Sequence, residues 1–259
     1  KRTYSLFRFK EALRYGRQAV EIFSKCEEIQ FSTDVIKVYM LYCQAILNLE
    51  DHDQAELVDS TIDEIKDRIE SSSFDNNEKR LWMLRVISIE SDAAIKFDDH
   101  FNKEDQIDDL RNKLIELLTE NNTSDRINID DIVSTDCGIS LFDKLSACLS
   151  YIRLLHQDHL DQRAKNLKSL FREIDRINVD SSMQSFSVLT SFSQNSIIDM
   201  ARLKSECMED LVDVLTDQYF RNEDNSSLDS SKELLDTSIK YVDQCIKIKK
   251  SDEVHDDEG

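Results

Sequence analysis

The chain has 259 residues, a formal net charge of −20, no proline and only three glycines. This scarcity of turn-forming residues argues against β-sandwiches, barrels and α/β folds, and the composition instead predicts an all-α protein. No apolar run reaches the length of about 20 residues that a membrane span requires, so we expect no direct membrane insertion.

The start of the chain differs in charge from the rest of it. Six basic residues and one acidic residue lie between Lys1 and Gln18. Because this segment is net positive, the rest of the chain carries a negative charge larger than the net −20 of the full chain. Basic side chains on one element attract polyanions such as nucleic acid, which the acidic remainder repels. The candidate nucleic-acid-binding residues are the basic ones of this segment: Lys1, Arg2, Arg8, Lys10, Arg14 and Arg17.

Residue spacing predicts an amphipathic helix over residues 4–28. Small and apolar residues recur at intervals of three and four, which places them on one helix face: Phe9, Ala12, Gly16, Ala19 and Phe23. At about 100° per residue, Lys10, Arg14 and Arg17 fall on nearly the opposite face. We predict that one face packs and the other binds phosphate; the alternative is a solvated face that binds nothing.

A helical hairpin is predicted next. Helices over residues 35–49 and 54–70 are separated by a polar break that is short enough to force an antiparallel pair. Large and small residues in this pair resemble those of a tetratricopeptide repeat: Tyr39, Cys43, Ile46, Ala55, Ile62 and Ile65. The first helix resembles the second helix of such a repeat, except that Gly16 stands where that family usually has a larger residue. The predicted fold is a set of tetratricopeptide-like antiparallel helical hairpins, similar to an α-solenoid, with a plain helical bundle as the alternative.

The rest of the chain is predicted to be helical too. A helix over residues 78–97 carries the only tryptophan, Trp82, which its apolar neighbours predict to be buried. Further helices are expected to about residue 118 and over 139–155, 160–177, 186–220 with an internal break, and 230–249. We predict a tetratricopeptide-like module at 1–100, a connecting segment at 101–136, a second helical region at 137–250 and a disordered acidic tail at 251–259.

A second basic stripe lies in the helix predicted over residues 160–177. Lys165, Lys168, Arg172 and Arg176 follow one another at intervals of three, four and four. The stripe lies opposite apolar residues that include Phe171. Because several carboxylates surround this stripe in sequence, we expect them to neutralise it and expect weaker anion binding here than in the first helix.

No catalytic or cofactor-binding motif is present. The chain lacks the glycine-rich loops that cradle phosphates and the turn that exposes a nucleophilic serine, and we interpret His156 and His159 as parts of a polar turn. We therefore expect no enzyme activity, metal or cofactor. Scattered cysteines without metal-ligand spacing are predicted to be reduced, buried thiols of the cytosol or nucleus: Cys26, Cys43, Cys148 and Cys245.

Two blocks of residues, in the same order along the chain, carry a resemblance to a known family. The first block is basic and then helical: Lys1, Arg2, Leu6, Arg8, Lys10, Ala12, Ala19, Tyr39, Leu47, Asp53, Ala55, Phe74, Leu81 and Arg85. The second block is apolar and then basic: Leu145, Leu149, Tyr151, Ile152, Arg153, Leu154, Lys168, Leu170 and Phe171. Together they resemble the later half of the RNA-binding domain, and the helix that follows it, in the sixty-eight-kilodalton subunit of the signal recognition particle.

The resemblance implies a non-catalytic scaffold that binds signal recognition particle RNA and supports co-translational protein targeting to the endoplasmic reticulum. It also implies the seventy-two-kilodalton subunit as partner, bound in that family by a region largely beyond this sequence. The expected location is cytoplasmic, or nuclear or nucleolar during assembly. The family's opening basic helices are absent and the chain is more acidic, so we expect an internal portion with much RNA contact upstream of Lys1. The alternative is a protein-interaction scaffold whose acidic groove binds a basic peptide or partner helix.

Overall fold

The structure is a computed structural model of the chain, and it describes residues 2–25, 32–49, 52–97, 103–119, 128–134, 138–155, 159–183, 194–222 and five positions between 229 and 236. Within these ranges every regular element is helical and no strand occurs, which confirms the predicted all-α fold class. The α-helices, in chain order, are α1 (Arg2–Lys25), α2 (Thr33–Leu49), α3 (Ala55–Ser71), α4 (Asn76–Lys96), α5 (Lys103–Leu118), α6 (Ile129–Ser134), α7 (Leu141–Arg153), α8 (Leu160–Met183) and α9 (Gln194–Asn222).

The predicted helices agree with these bounds to within a few residues where the structure describes them. One short helix, α6, lies in the stretch that was predicted to be a polar connection. The internal break predicted for the helix over residues 186–220 does not occur in its described part, because α9 is continuous from Gln194 to Asn222. Most of the predicted helix over 230–249 and the acidic tail lie outside the described residues. None of the described helices combines the length and the apolarity needed to cross a membrane.

The chain forms two compact units, and their boundary differs from the predicted one. The first unit comprises Lys1–Ile127 and Ser134–Leu154, and the second comprises Asn128–Val133 and Leu155–Gly259. Helices α5 and α7 therefore belong to the first unit, although the sequence placed them in a connecting segment and in the second region. The physical reason is packing, because both helices contact α4 and also contact each other.

Helix α4 is the centre of the first unit, where it packs against α2, α3, α5 and α7. Its apolar residues are buried on several faces, as expected for a helix enclosed by others: Trp82, Leu84, Val86, Ile87, Ile89, Ala93 and Ala94. Polar side chains join it to two neighbours as well. Arg80 Nε donates to the Leu117 carbonyl at 2.7 Å, and Lys96 Nζ donates to the Leu47 carbonyl at 3.1 Å.

Side-chain caps fix where α4 and α7 begin. The Asp75 carboxylate accepts the backbone N–H of Glu78 at 2.8 Å, and the Ser140 hydroxyl accepts that of Asp143 at 3.2 Å. Each cap satisfies a donor that the first helical turn leaves without a carbonyl. Gly138 precedes the second cap with φ of 68°, a backbone conformation that glycine adopts without strain.

The packing of α1 confirms one part of the predicted face and corrects another. Gly16 faces α2 so closely that a Cβ there would lie 2.9 Å from Cδ2 of Tyr42, which explains why a small residue stands at this position. The Phe23 ring stacks on Tyr39 with centroids 6.2 Å apart. Ala12 is exposed, whereas Leu13 is partly covered, so the packed face is rotated relative to the predicted one. The side chain of Phe9 lies outside the described residues.

The core of the α2–α3 pair confirms the predicted packing positions. The residues that occupy tetratricopeptide-like positions are all buried: Tyr39, Cys43, Ile46, Ala55, Ile62 and Ile65. Their burial removes a nearly continuous apolar surface from water, which is the main source of stability for such hairpins.

The second unit is built around the antiparallel pair α8 and α9. Gln218 near the end of α9 donates to Asp161 at the start of α8 at 2.6 Å, while Lys204 early in α9 pairs with Asp175 late in α8. Between these contacts Cys207 Sγ approaches the Leu167 carbonyl at 3.6 Å. Helix α6 joins the pair through a hydrogen bond of 3.1 Å from Ser169 to Asp130. These polar contacts fix how α6, α8 and α9 are aligned along one another.

Candidate nucleic-acid interface

The predicted RNA-binding residues lie on α1, where the described ones form an exposed row. Lys10, Arg14 and Arg17 are all exposed and follow each other at intervals of four and three, which places them on one helix face. Arg2 and Arg8 lie on the same helix, but their side chains, like the whole of Lys1, lie outside the described residues. The structure therefore brings three of the six predicted residues together at the surface.

Two of the three basic side chains, those of Arg14 and Arg17, form hydrogen bonds with neighbouring side chains. The Arg14 guanidinium lies 4.6 Å from the centroid of the Tyr15 ring and donates to the Tyr15 hydroxyl at 2.7 Å. Arg17 donates to Oε1 of Gln54, at the entry to α3, at 2.9 Å. Each guanidinium has five N–H donors. The geometry therefore fixes the position of both groups at the surface, where a phosphate can reach them.

Lys10 has a different environment. It makes no ion pair with any residue in the described part of the chain. Arg14 lies four residues on along the helix, and like charges at this spacing repel each other. The only carboxylates of α1 are Glu11 and Glu21, both exposed. The row as a whole is a locally positive surface on a strongly negative chain.

Sequence reasoning missed Tyr15 as part of this surface. Its side chain is 56% exposed and lies beside the Arg14 guanidinium. Exposed aromatic rings next to basic residues are typical of surfaces on which unpaired RNA bases stack. The sequence carried the signal, since Tyr15 stands between Arg14 and Arg17. The hydrogen bond from Arg17 to Gln54 left no such signal, because the two residues are 37 positions apart.

The second basic stripe is also exposed, and only one of its four members pairs with a described carboxylate. Lys165, Lys168, Arg172 and Arg176 all lie at the surface of α8. Only Arg176 has a carboxylate partner within the described residues, Glu173 at 3.7 Å. Of the other carboxylates nearby, Asp161 accepts a hydrogen bond from Gln218 of α9 and Asp175 pairs with Lys204 of α9. Lys165, Lys168 and Arg172 therefore form no ion pair with a described carboxylate, and the weaker anion binding expected here stays a prediction.

The buried polar groups serve the fold rather than a site. Burial raises the pKa of the Cys43 and Cys148 thiols to about 12, so both stay protonated and unreactive at neutral pH. Cys43, Cys148 and Cys207 are buried and form no disulfide, which confirms the prediction for the first two; Cys26 and Cys245 lie outside the described residues. No group of three metal-ligating side chains comes together in the described portion.

Comparison with known proteins adds nothing to this geometry. No family model matches the chain, and neither a curated protein nor a solved structure shows significant similarity to it. The interpretation of the α1 surface therefore rests on its residues and on the resemblance described above.

Proposed function

We propose that the chain is a non-catalytic RNA-binding and scaffold subunit of the signal recognition particle, which supports co-translational protein targeting to the endoplasmic reticulum. The observation that carries the proposal is the exposed row of Lys10, Arg14 and Arg17 on α1. Three cationic side chains on consecutive turns supply both the charge and the donors that phosphates bind. The resemblance to the sixty-eight-kilodalton subunit supports the RNA of the particle as the partner.

The proposed mechanism is placement rather than chemistry. Contact between α1 and α2 through Gly16 and Tyr42 holds the helix in one orientation, so the basic row meets the RNA backbone as a rigid surface. Tyr15 offers a ring to an unpaired base. No bond is made or broken and no cofactor takes part. The protein acts in the cytoplasm, with a nuclear or nucleolar stage during assembly, beside the seventy-two-kilodalton subunit.

The test is RNA binding by the full chain as a function of salt, with signal recognition particle RNA as the probe. We expect the triple variant K10Q/R14Q/R17Q to lower affinity on the order of 100-fold at 0.1 M salt and to flatten the salt slope by about 2, since each phosphate contact contributes ~0.7 to that slope. An unchanged affinity and slope would contradict the proposal.

A matched control separates local contact from overall charge. The triple variant K37Q/R111Q/R202Q removes the same number of positive charges, but from residues that already pair with carboxylates of their own helices. We expect this variant to bind RNA nearly as well as the wild type. An equal loss in both variants would mean that RNA responds only to net charge.

The alternative, a scaffold for a basic peptide or partner helix, is favoured by a different observation. Ile22 on α1 and Leu41 on α2 are 54% and 61% exposed on a chain of net charge −20. A basic amphipathic helix offers the complementary charge and apolar side chains. This function predicts that I22S/L41S weakens binding of such a peptide while K10Q/R14Q/R17Q leaves it unchanged.

A further inference from the structure

Three residues of α8 form an exposed basic row, which we call the α8 basic face: Lys165, Lys168 and Arg172. Their spacing of three and four residues corresponds to helical rises of about 4.5 and 6 Å. The row is therefore roughly 10 Å long, and it presents three cationic groups along one side of the helix.

The carboxylates near this face contact other side chains. Asp175 pairs with Lys204, and Lys204 also lies 5.2 Å from the Phe171 ring centroid. Asp161, one turn before the face, accepts a hydrogen bond of 2.6 Å from Gln218. Asp130 of α6 accepts one of 3.1 Å from Ser169. Glu173, beside Arg172, pairs with Arg176 at 3.7 Å. These carboxylates keep their charge, but among the described residues none of them forms an ion pair with Lys165, Lys168 or Arg172.

Three basic residues on other helices have a different environment. Lys37, Arg111 and Arg202 each pair with a carboxylate three or four residues away, at 3.0, 2.6 and 2.8 Å. The members of the α8 basic face have one another as neighbours at this spacing and make no ion pair among the described residues. Like charges at such intervals repel and destabilise the helix. A bound polyanion would remove that repulsion.

The face also lacks the apolar centre of a protein interface. The apolar residues of α8 are buried within its own unit: Leu160, Ala164, Leu167, Leu170 and Ile174. No large apolar side chain is exposed along the described part of α8. Protein interfaces bury an apolar core, whereas nucleic-acid interfaces are polar and strongly positive. The chemistry therefore favours a phosphate backbone over an acidic protein segment.

We infer that the α8 basic face is a second RNA phosphate-binding surface, separate from the row on α1. The inference rests on the proposed function, because it takes RNA as the partner. Lys165, Lys168 and Arg172 each donate to a phosphate oxygen, and the contacts carry no sequence information. RNA binding by the whole chain then depends on basic residues of both units.

The experiment compares K165Q/K168Q/R172Q with K165R/K168R/R172K in the full chain, using signal recognition particle RNA over a range of salt concentrations. We expect the first variant to lose about 100-fold in affinity at 0.1 M salt and to flatten the slope by about 2, because three contacts of ~0.7 each are removed. The second variant keeps the charges and retains the wild-type slope. Both variants should fold, because the three side chains face solvent.

The outcomes distinguish this inference from the proposed function. If K10Q/R14Q/R17Q lowers the slope and K165Q/K168Q/R172Q does not, the inference is overturned and the proposed function stands. If only the α8 variant lowers the slope, the inference stands and the assignment of α1 is overturned. An α8 variant that loses binding to a polyglutamate peptide but not to RNA would overturn the inference in favour of a protein partner. Absence of RNA binding by the wild type would overturn both.

Discussion

Helices α1 and α4 have similar lengths, 24 and 21 residues, but they use their charged side chains in opposite ways. Six charged residues of α4 bind neighbouring helices: Lys79, Arg80, Arg85, Glu90, Asp92 and Lys96. Helix α1 instead presents Lys10, Arg14 and Arg17 at the surface. The difference follows from enclosure, because α4 packs against four helices whereas α1 has no fully buried side chain among those described.

The comparison shows that the number of charges on a helix does not indicate its role. A charge in an enclosed helix must be paired, since leaving it alone in the core costs several kcal/mol. A basic side chain on a half-covered helix can direct N–H donors to another molecule. Changes in α4 should therefore affect stability, and changes in the basic row of α1 should affect binding.

The largest effect is expected at Trp82. The side chain is 5% exposed, and the Arg85 guanidinium lies 4.7 Å from the ring centroid. Replacing Trp82 with Ala should lower the free energy of unfolding by about 3–5 kcal/mol, because it removes the largest side chain of α4 and leaves a cavity. Urea unfolding followed by circular dichroism measures the change. A loss below about 1 kcal/mol would mean that the core does not depend on α4.

The next effect concerns the bond between α4 and α7. Arg85 reaches both oxygens of the buried Asp143 carboxylate, at 2.7 and 3.0 Å. Asp143→Ala should cost about 2–3 kcal/mol in urea unfolding, because charge-assisted hydrogen bonds of this kind are among the stronger ones. Asp92→Ala is the matched control, since its contact with Arg153 is longer, 3.4 Å, and more exposed. Equal costs would refute the distinction between enclosed and exposed pairs.

A smaller effect is expected at the contact that positions α1. Gly16→Ala places a methyl group 2.9 Å from Cδ2 and 3.1 Å from Cβ of Tyr42. Crowding of this kind costs about 1–3 kcal/mol, and the better helix propensity of alanine returns about 1 kcal/mol. The net loss should be about 1 kcal/mol and should shrink when Tyr42 is also replaced by Val. A stabilised Gly16→Ala variant would show that α1 has room to shift.

The buried charge of α4 gives a pH dependence. Burial raises the pKa of Glu90 above its usual value, although Lys66 at 2.6 Å and the charge of Lys113 oppose the change, while Asp63 adds to it. The native state then holds the proton more tightly than the unfolded state, so stability falls as pH rises through the window just above 4.5. Glu90→Gln should remove this part of the decline. The prediction is contradicted if the free energies of unfolding of wild type and variant change in parallel between pH 4 and roughly 7.

Much of the fold could be predicted from the sequence, for a physical reason. A helical apolar period with few breakers predicted each long helix that is described, and the burial of Tyr39, Ile46, Ile65 and Trp82 followed from their spacing. The rotation of the α1 face could not be predicted, because Ala12 is small enough to lie on either side. The assignment of α5 and α7 to the first unit depends on contacts across long sequence separations.

The partners of charged residues were the least predictable part of the candidate site. Asp161 and Asp175 lie beside the α8 basic face in sequence, yet Gln218 and Lys204 engage them from positions 57 and 29 residues away. Local spacing describes only contacts within one helix, so it could not predict that residues of α9 contact these carboxylates. The RNA-binding role of α1 stays a prediction.

The smallest effect on stability is expected for the three residues of the α1 row. K10Q/R14Q/R17Q removes the hydrogen bond from Arg17 to Gln54, worth about 0.5–1 kcal/mol, and relieves repulsion between Lys10 and Arg14 and between Arg14 and Arg17 at ~0.2–0.5 kcal/mol per pair. The two contributions nearly cancel, so the free energy of unfolding should change by less than about 0.5 kcal/mol. Urea unfolding of the same preparations used for RNA binding provides the measurement. A loss above about 2 kcal/mol would mean that these residues act as those of α4 do, and weaker RNA binding would then reflect a damaged fold rather than lost phosphate contacts.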